Sequence, residues 1–170
     1  MRFITLLLIL CCSAVWAGEP GSLCNKDEQV IFTCSTGKKF ASLCASSQFS
    51  KNSGYVQYRY GRPQKIELLY PETLKPSQRN FTLSNTGFSG GGASYIRFQN
   101  NGYEYFLYDS TVRTNFKAGE PNYPQFDAGI VVRQNSKKIS TKHCKDNEAS
   151  IRSPAYDQLE RSDFDYDVLP

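Results

Sequence analysis

The first seventeen residues read as an export signal, and that assignment constrains the redox chemistry, and so the covalent framework, of everything after them. Arg2 supplies a charged n-region, Phe3 to Cys12 an apolar run of ten residues, and Val15, Trp16 and Ala17 a small-x-small site before Gly18. The run is well short of the ~20 residues a membrane helix needs, so the expected product is a released chain with no membrane span, periplasmic or secreted.

Removing residues 1–17 leaves 153 of the 170 residues, enough for one domain with one core. Charge divides that remainder. Residues 18–152 hold 18 Lys and Arg against 11 Asp and Glu, whereas residues 153–170 hold Arg161 against Asp157, Glu160, Asp163, Asp165 and Asp167. The expectation is a β domain over 18–152 followed by an acidic tail over 153–170, solvated and disordered because little in it is apolar. Two alternatives remain: the tail covers part of the basic surface, or Phe164, Tyr166 and Val168, alternating with acids, form a docked edge strand.

Cys11 and Cys12 leave with the signal, so four cysteines remain: Cys24, Cys34, Cys44 and Cys144. An even count in an exported chain points to two disulfides, and the ten-residue spacings do not resemble the short pairs of zinc sites. With Thr36 and Gly37 at a hairpin tip, Cys34 lies opposite Lys39 and Cys44 opposite Gln29 on the other face of the ribbon. Those sulfurs point apart, which favours Cys24–Cys44 with Cys34–Cys144.

No stretch shows sustained helical periodicity. Runs with period two, rich in Val, Ile, Phe, Tyr and Thr, recur between Gly, Pro and Asn, and predict an all-β fold. Val30–Cys34 and Lys39–Ala45 form a first hairpin, Tyr55–Tyr60 and Lys65–Tyr70 a second, and Phe81–Ser84 a short edge strand. Tyr95–Asn100 and Tyr103–Asp109 pair around Asn101-Gly102, the residues a type I′ turn requires. Ile130–Gln134 and Lys137–His143 pair around Asn135-Ser136. About eight strands suit a small antiparallel β-barrel, or else a two-sheet sandwich. Residues 110–128 read as a long ordered loop over one end, and loops of that length are functional or disordered. The run from Ser89 to Ser94 lacks the following helix and lysine of a phosphate-binding loop and reads as a flexible turn.

Little in the chain suggests chemistry. His143 is the sole histidine and sits one residue before a disulfide cysteine, so no catalytic residue, metal site or cofactor is assigned. A carboxylate pair brought together by folding leaves a secreted enzyme as a third reading. Lys137, Lys138, Lys142 and Lys145 gather near the last strand. Export argues against nucleic acid there, and leaves a solvated face or an attraction for an anionic envelope polymer.

The Asn101-Gly102 hairpin is more informative. Its register places Ile96 opposite Leu107 and Phe98 opposite Tyr105 on a core face. The other face carries Tyr95 opposite Tyr108, Arg97 opposite Phe106 and Gln99 opposite Glu104. Tyr, Phe and Arg exposed together have the composition of an interface centre, so Tyr95, Arg97, Phe106 and Tyr108 are the candidate partner-binding residues, with cross-strand stacking as the plain alternative. The second hairpin places Tyr58 and Tyr60 with Glu67 and Lys65 on one face, which adds aromatic surface for a partner contact or for stacking on sugar rings.

Phe32-Thr33-Cys34 followed by Gly37, the segment Ser89 to Tyr95 and the export signal together resemble the small exported bacterial inhibitors of c-type lysozyme. The resemblance covers about a third of the chain and implies a small antiparallel barrel and inhibition of a cell-wall hydrolase. In that family a serine of a Ser-Gly-x-x-Tyr segment enters the enzyme cleft with a lysine of a later Lys-Gly pair. Ser89 stands at the matching serine, in a longer glycine run, and the hairpin ends in Tyr108 and Asp109 without that pair. The expected function is therefore non-enzymatic binding of a secreted enzyme, with glycan binding as the alternative. The oligomeric state is not fixed by the sequence.

Overall fold

The computed structural model describes residues 21–146 and 149–170, so the expected export signal, residues 1–17, lies outside the described residues. Among the described residues ten strands form two sheets. β1 (Glu28–Ser35), β2 (Phe40–Ser46), β3 (Val56–Arg62) and β4 (Lys65–Tyr70) make a four-stranded antiparallel sheet in chain order. β5 (Thr82–Phe88), β6 (Gly91–Asn100), β7 (Tyr103–Val112), β8 (Gln125–Gln134) and β9 (Lys137–His143) make an antiparallel meander. A short α1 (Ser153–Gln158) then leads to β10 (Glu160–Arg161), which joins β5 in parallel and gives the order β10-β5-β6-β7-β8-β9. The all-β, disulfide-bonded fold stands; of the two expected arrangements it is the open two-sheet one, and no barrel closes.

Alternation decides which residues meet between the sheets. Phe32, Leu43 and Tyr58 of the smaller sheet pack with Leu83, Ile96, Phe98, Leu107 and Ile130 of the larger. The Tyr58 ring lies 4.9 Å from that of Phe98, which stacks on Tyr105 at 4.8 Å. Burial pushes the Tyr58 hydroxyl pKa far up. Terminal segments cover the outer faces. On the smaller sheet Leu23 N donates to Ser42 Oγ and Thr33 Oγ1 to the Gly21 carbonyl.

The disulfides are Cys24–Cys44 and Cys34–Cys144, as the pleat argument favours. The register differs by two residues at Cys34, which pairs with Ala41 rather than Lys39, and by one at Cys44, which pairs with Val30 rather than Gln29 beyond the shift between Val30 and Phe32. A slip of two preserves the face, so Cys34 still points into the core with Leu43 while Cys44 points outward with Val30.

The β6–β7 register is the expected one throughout, with Asn101 and Gly102 at φ of 49° and 78°. Asn135 (φ 50°) and Ser136 (φ 61°) turn β8 into β9 in the same way. Other expectations are corrected. β4 pairs Tyr58 with Tyr70, because Pro63 and Gln64 alone form the turn and the register shifts between Tyr60 and Gly61. β5 is an interior strand of seven residues where a four-residue edge strand was expected. β7 and β8 continue through Ser110, Thr111 and Phe126, Asp127, which shortens the expected 110–128 loop to residues 113–124. The acidic tail is docked.

Gly91 is part of β6 rather than a flexible turn. A Cβ there would overlap the Thr111 carbonyl oxygen, a backbone atom with no room to yield. Gly91→Ala is expected to lower stability by about 1–3 kcal/mol, read as a fall in the urea midpoint at unchanged m-value.

Candidate functional site

The structure separates the five predicted partner-binding residues. Tyr95, Phe106 and Tyr108 do lie on the outer face of the large sheet, but residues 163–169 cover them, and their expected exposure is corrected. The Tyr95 hydroxyl donates to the Asp163 carbonyl and accepts from Asp165 N, with Phe164 5.0 Å away ring to ring. Val168 is fully buried with Phe106 and Val131. Asp165 pairs at 2.7 Å with Arg133, whose guanidinium lies 5.2 Å over the Phe106 ring. The Tyr108 hydroxyl meets Asp127 Oδ2 at 3.0 Å and His143 Nδ1 at 3.1 Å, and burial with the Asp127 charge pushes its pKa far up. Arg97, half-buried at the margin, is clamped to Glu104.

That strap has a testable hold. Val168→Asp puts a carboxylate into the apolar site and is expected to cost about 2 kcal/mol and release residues 163–170, read as dye binding to exposed apolar surface. The Arg133 hydrogen bond holds the Asp165 carboxyl below its ordinary value, so its contribution is present above pH ~4 and is lost as pH falls through the lowered value.

Ser89, the fifth residue, stands exposed at one end of the large sheet, beside an aromatic cluster outside the hairpin. The β5–β6 turn at Ser89 and Gly90 abuts the β7–β8 connection: Arg113 N donates to the Gly90 carbonyl, and a Cβ on Gly90 would lie 2.7 Å from the Phe116 ring. Asn115 organises the connection from within. Its amide nitrogen Nδ2 donates to Glu120 Oε2 and the Pro121 carbonyl, its Oδ1 accepts from Lys117 N, and its backbone N–H donates to Asn122 Oδ1. Gly119, at φ 81°, supplies the left-handed step. On this self-bonded frame Phe116 is 65% exposed and Tyr123 79%, and Phe126 at the start of β8 is 74% exposed. These are three of the seven large apolar side chains that stand exposed among the described residues, gathered within eleven positions. The signal in the sequence was present: aromatic residues inside a Gly- and Pro-rich connection have no core of their own to enter.

Below Phe126 the inner face of the large sheet extends beyond the smaller sheet and forms a cleft of about 690 Å³, lined by Ser94, Asp109, Thr111, Ala128 and Tyr156 among others. Ile151 N donates to Asp109 Oδ2 at 2.7 Å, and the Tyr156 hydroxyl donates to Ser94 Oγ at 2.8 Å. Burial pushes the Asp109 carboxyl up, and the Ile151 amide partly opposes that. Both groupings of possible metal ligands among the described residues contain a disulfide, whose sulfurs are not thiolates. Tyr58, one of the two expected glycan-stacking residues, is in the core, and Tyr60 is half-buried beneath the Lys39 ammonium.

Compared with known proteins, the chain matches no family model, no curated protein and no solved structure. Two disulfides fit an oxidising, extracytoplasmic setting, and no helix among the described residues is long and apolar enough to cross a membrane.

Proposed function

We propose that this is an exported, non-enzymatic binding protein, periplasmic or secreted, that blocks a secreted cell-wall hydrolase with the end of the large sheet formed by Ser89 and residues 113–126. The observation that carries this reading is the preorganised 113–124 connection with Phe116 and Tyr123 held out from it. Exposed aromatics lose little side-chain entropy on binding, and a loop already ordered by Asn115 has little backbone entropy left to lose. Ser89 lies on the same end, where the resemblance to lysozyme inhibitors asks for a cleft-entering serine. The hairpin of Tyr95 and Tyr108 then serves as a support beneath the strap.

A glycan-binding module is the second reading, favoured by Phe126 at the rim of the polar cleft of Ser94, Asp109 and Thr111. Titrating the protein into a cell-wall clearing assay driven by a c-type lysozyme, and in parallel by other wall hydrolases, separates the two. The inhibitor reading expects activity to end at a fixed molar ratio with one enzyme, and Phe116→Ser/Tyr123→Ser to abolish that effect. Unchanged hydrolysis together with adsorption to insoluble wall supports the glycan module instead.

A further inference from the structure

We propose that a second cleft, between the β1–β2 turn and the end of β9, is a binding site for a phosphate-bearing polyanion chain. Its volume is about 630 Å³, and its walls carry Lys38, Lys39, Arg62, Lys142, His143 and Lys145, with Tyr60 on its floor and no acidic side chain in its lining. Lys39 pairs with Glu67 at 2.6 Å and His143 with Asp127 at 2.9 Å. Lys38, Arg62, Lys142 and Lys145 have no carboxylate at ion-pair distance among the described residues.

These cations are far apart in sequence and are forced together by the fold. One wall is the β1–β2 turn with the end of β3, and the other is the end of β9. Cys34–Cys144 links the walls, Lys145 N donates to the Ser35 carbonyl at 2.7 Å, and Ser35 N donates to Asp146 Oδ2 at 3.0 Å. The Lys145 side chain is thereby laid along Gly37, 3.6 Å from where a Cβ would stand. Unpaired like charges held in one cleft repel each other, and an anion that neutralises several at once relieves that repulsion. Lysine ammonium groups suit phosphate as compact point charges.

Shape selects a chain over a membrane. The positive groups face one another across a cleft, and none of the exposed large apolar side chains lines it, so a bilayer surface would reach only the rims. The site is separate from the aromatic end formed by residues 113–126, and its success or failure does not depend on the hydrolase reading.

The test uses the disulfide-bonded protein and inorganic polyphosphate, followed by calorimetric titration at low and at physiological salt. Binding is expected for the unaltered protein, weakened by salt. Lys142→Glu/Lys145→Glu is expected to weaken it by about tenfold or more, while Lys51→Glu/Lys75→Glu, the same change of net charge at the other end of the small sheet, stays within about twofold. All four lysines are exposed, and the unliganded melting temperature of each variant checks that the fold is kept. Equal loss in both variants would reduce the effect to net charge and overturn the site. So would binding to anionic phospholipid vesicles without binding to polyphosphate.

Discussion

Cys34→Ala/Cys144→Ala is expected to lower the stability of the folded protein by about 4–5 kcal/mol, against about 3 kcal/mol for Cys24→Ala/Cys44→Ala. The two bridges close very different lengths of chain: Cys34 and Cys144 are 110 residues apart, Cys24 and Cys44 only 20. On the chain-entropy model the longer loop confines the unfolded chain more. The difference is enlarged by position. Cys34 is fully buried in the core and joins the first hairpin of the small sheet to the end of the last long strand of the large one, whereas Cys24–Cys44 fastens a terminal segment to an outer face. Urea unfolding of both double variants, at unchanged slope, measures the order. A smaller loss for the long bridge than for the short one would show that the sheets hold together without a covalent link.

The second large effect is expected at Arg59. Its guanidinium grips both carboxylate oxygens of Glu28, at 2.6 and 2.7 Å, and the two side chains retain only 8% and 2% of their exposure. Burial by itself pushes the Glu28 carboxyl up, but Arg59, the Asn25 amide and the Tyr55 hydroxyl together hold it below its ordinary 4.5. Arg59→Met removes the cation and leaves a buried charge, at a cost of about 3–5 kcal/mol near neutral pH. The pH dependence of the variant then differs from that of the unaltered protein. In the unaltered protein the folded pKa is depressed, so the Glu28 contribution is present above pH 4.5 and is lost as pH falls through the lowered value. In Arg59→Met, burial, the largest single influence on Glu28, is opposed only by the Asn25 amide and the Tyr55 hydroxyl, so the folded pKa rises and the deficit shrinks as acid protonates Glu28. Denaturation midpoints at neutral and acidic pH read both slopes, and parallel slopes would refute the assignment.

What could be read from the sequence followed the reach of local rules. The β6–β7 hairpin was legible in full, because Asn101-Gly102 fixes the turn and the turn fixes every cross-strand pair. The disulfide pairing was legible because it depends on which face a cysteine takes, and a register error of two residues leaves the face unchanged. Residues 110–112 and 125–127 were not, since Ser110, Gln125 and Asp127 lack the apolar alternation of a buried strand and pair only because their neighbours do. The acidic tail misled for a related reason. Phe164 and Val168 are too few to order a segment alone, and the surface that orders them, Tyr95, Phe106 and Val131, comes from three strands distant in sequence. The same omission made the hairpin face look open. Ser89 lies at the end of the sheet where Phe116, Tyr123 and Phe126 stand exposed, and those three aromatics drew no attention because their loop offers no periodic pattern to place them.

The most direct test of the proposed function is affinity capture from envelope and culture-fluid proteins on the immobilised disulfide-bonded protein, beside two variants. Phe116→Ser/Tyr123→Ser alters the aromatic end, and Arg97→Glu alters the one partly exposed member of the hairpin set. Binding through the end of the large sheet predicts one hydrolase retained at a fixed ratio by the unaltered protein and by Arg97→Glu, and lost from Phe116→Ser/Tyr123→Ser. Retention of that hydrolase by the loop variant, or its loss from Arg97→Glu alone, would contradict it.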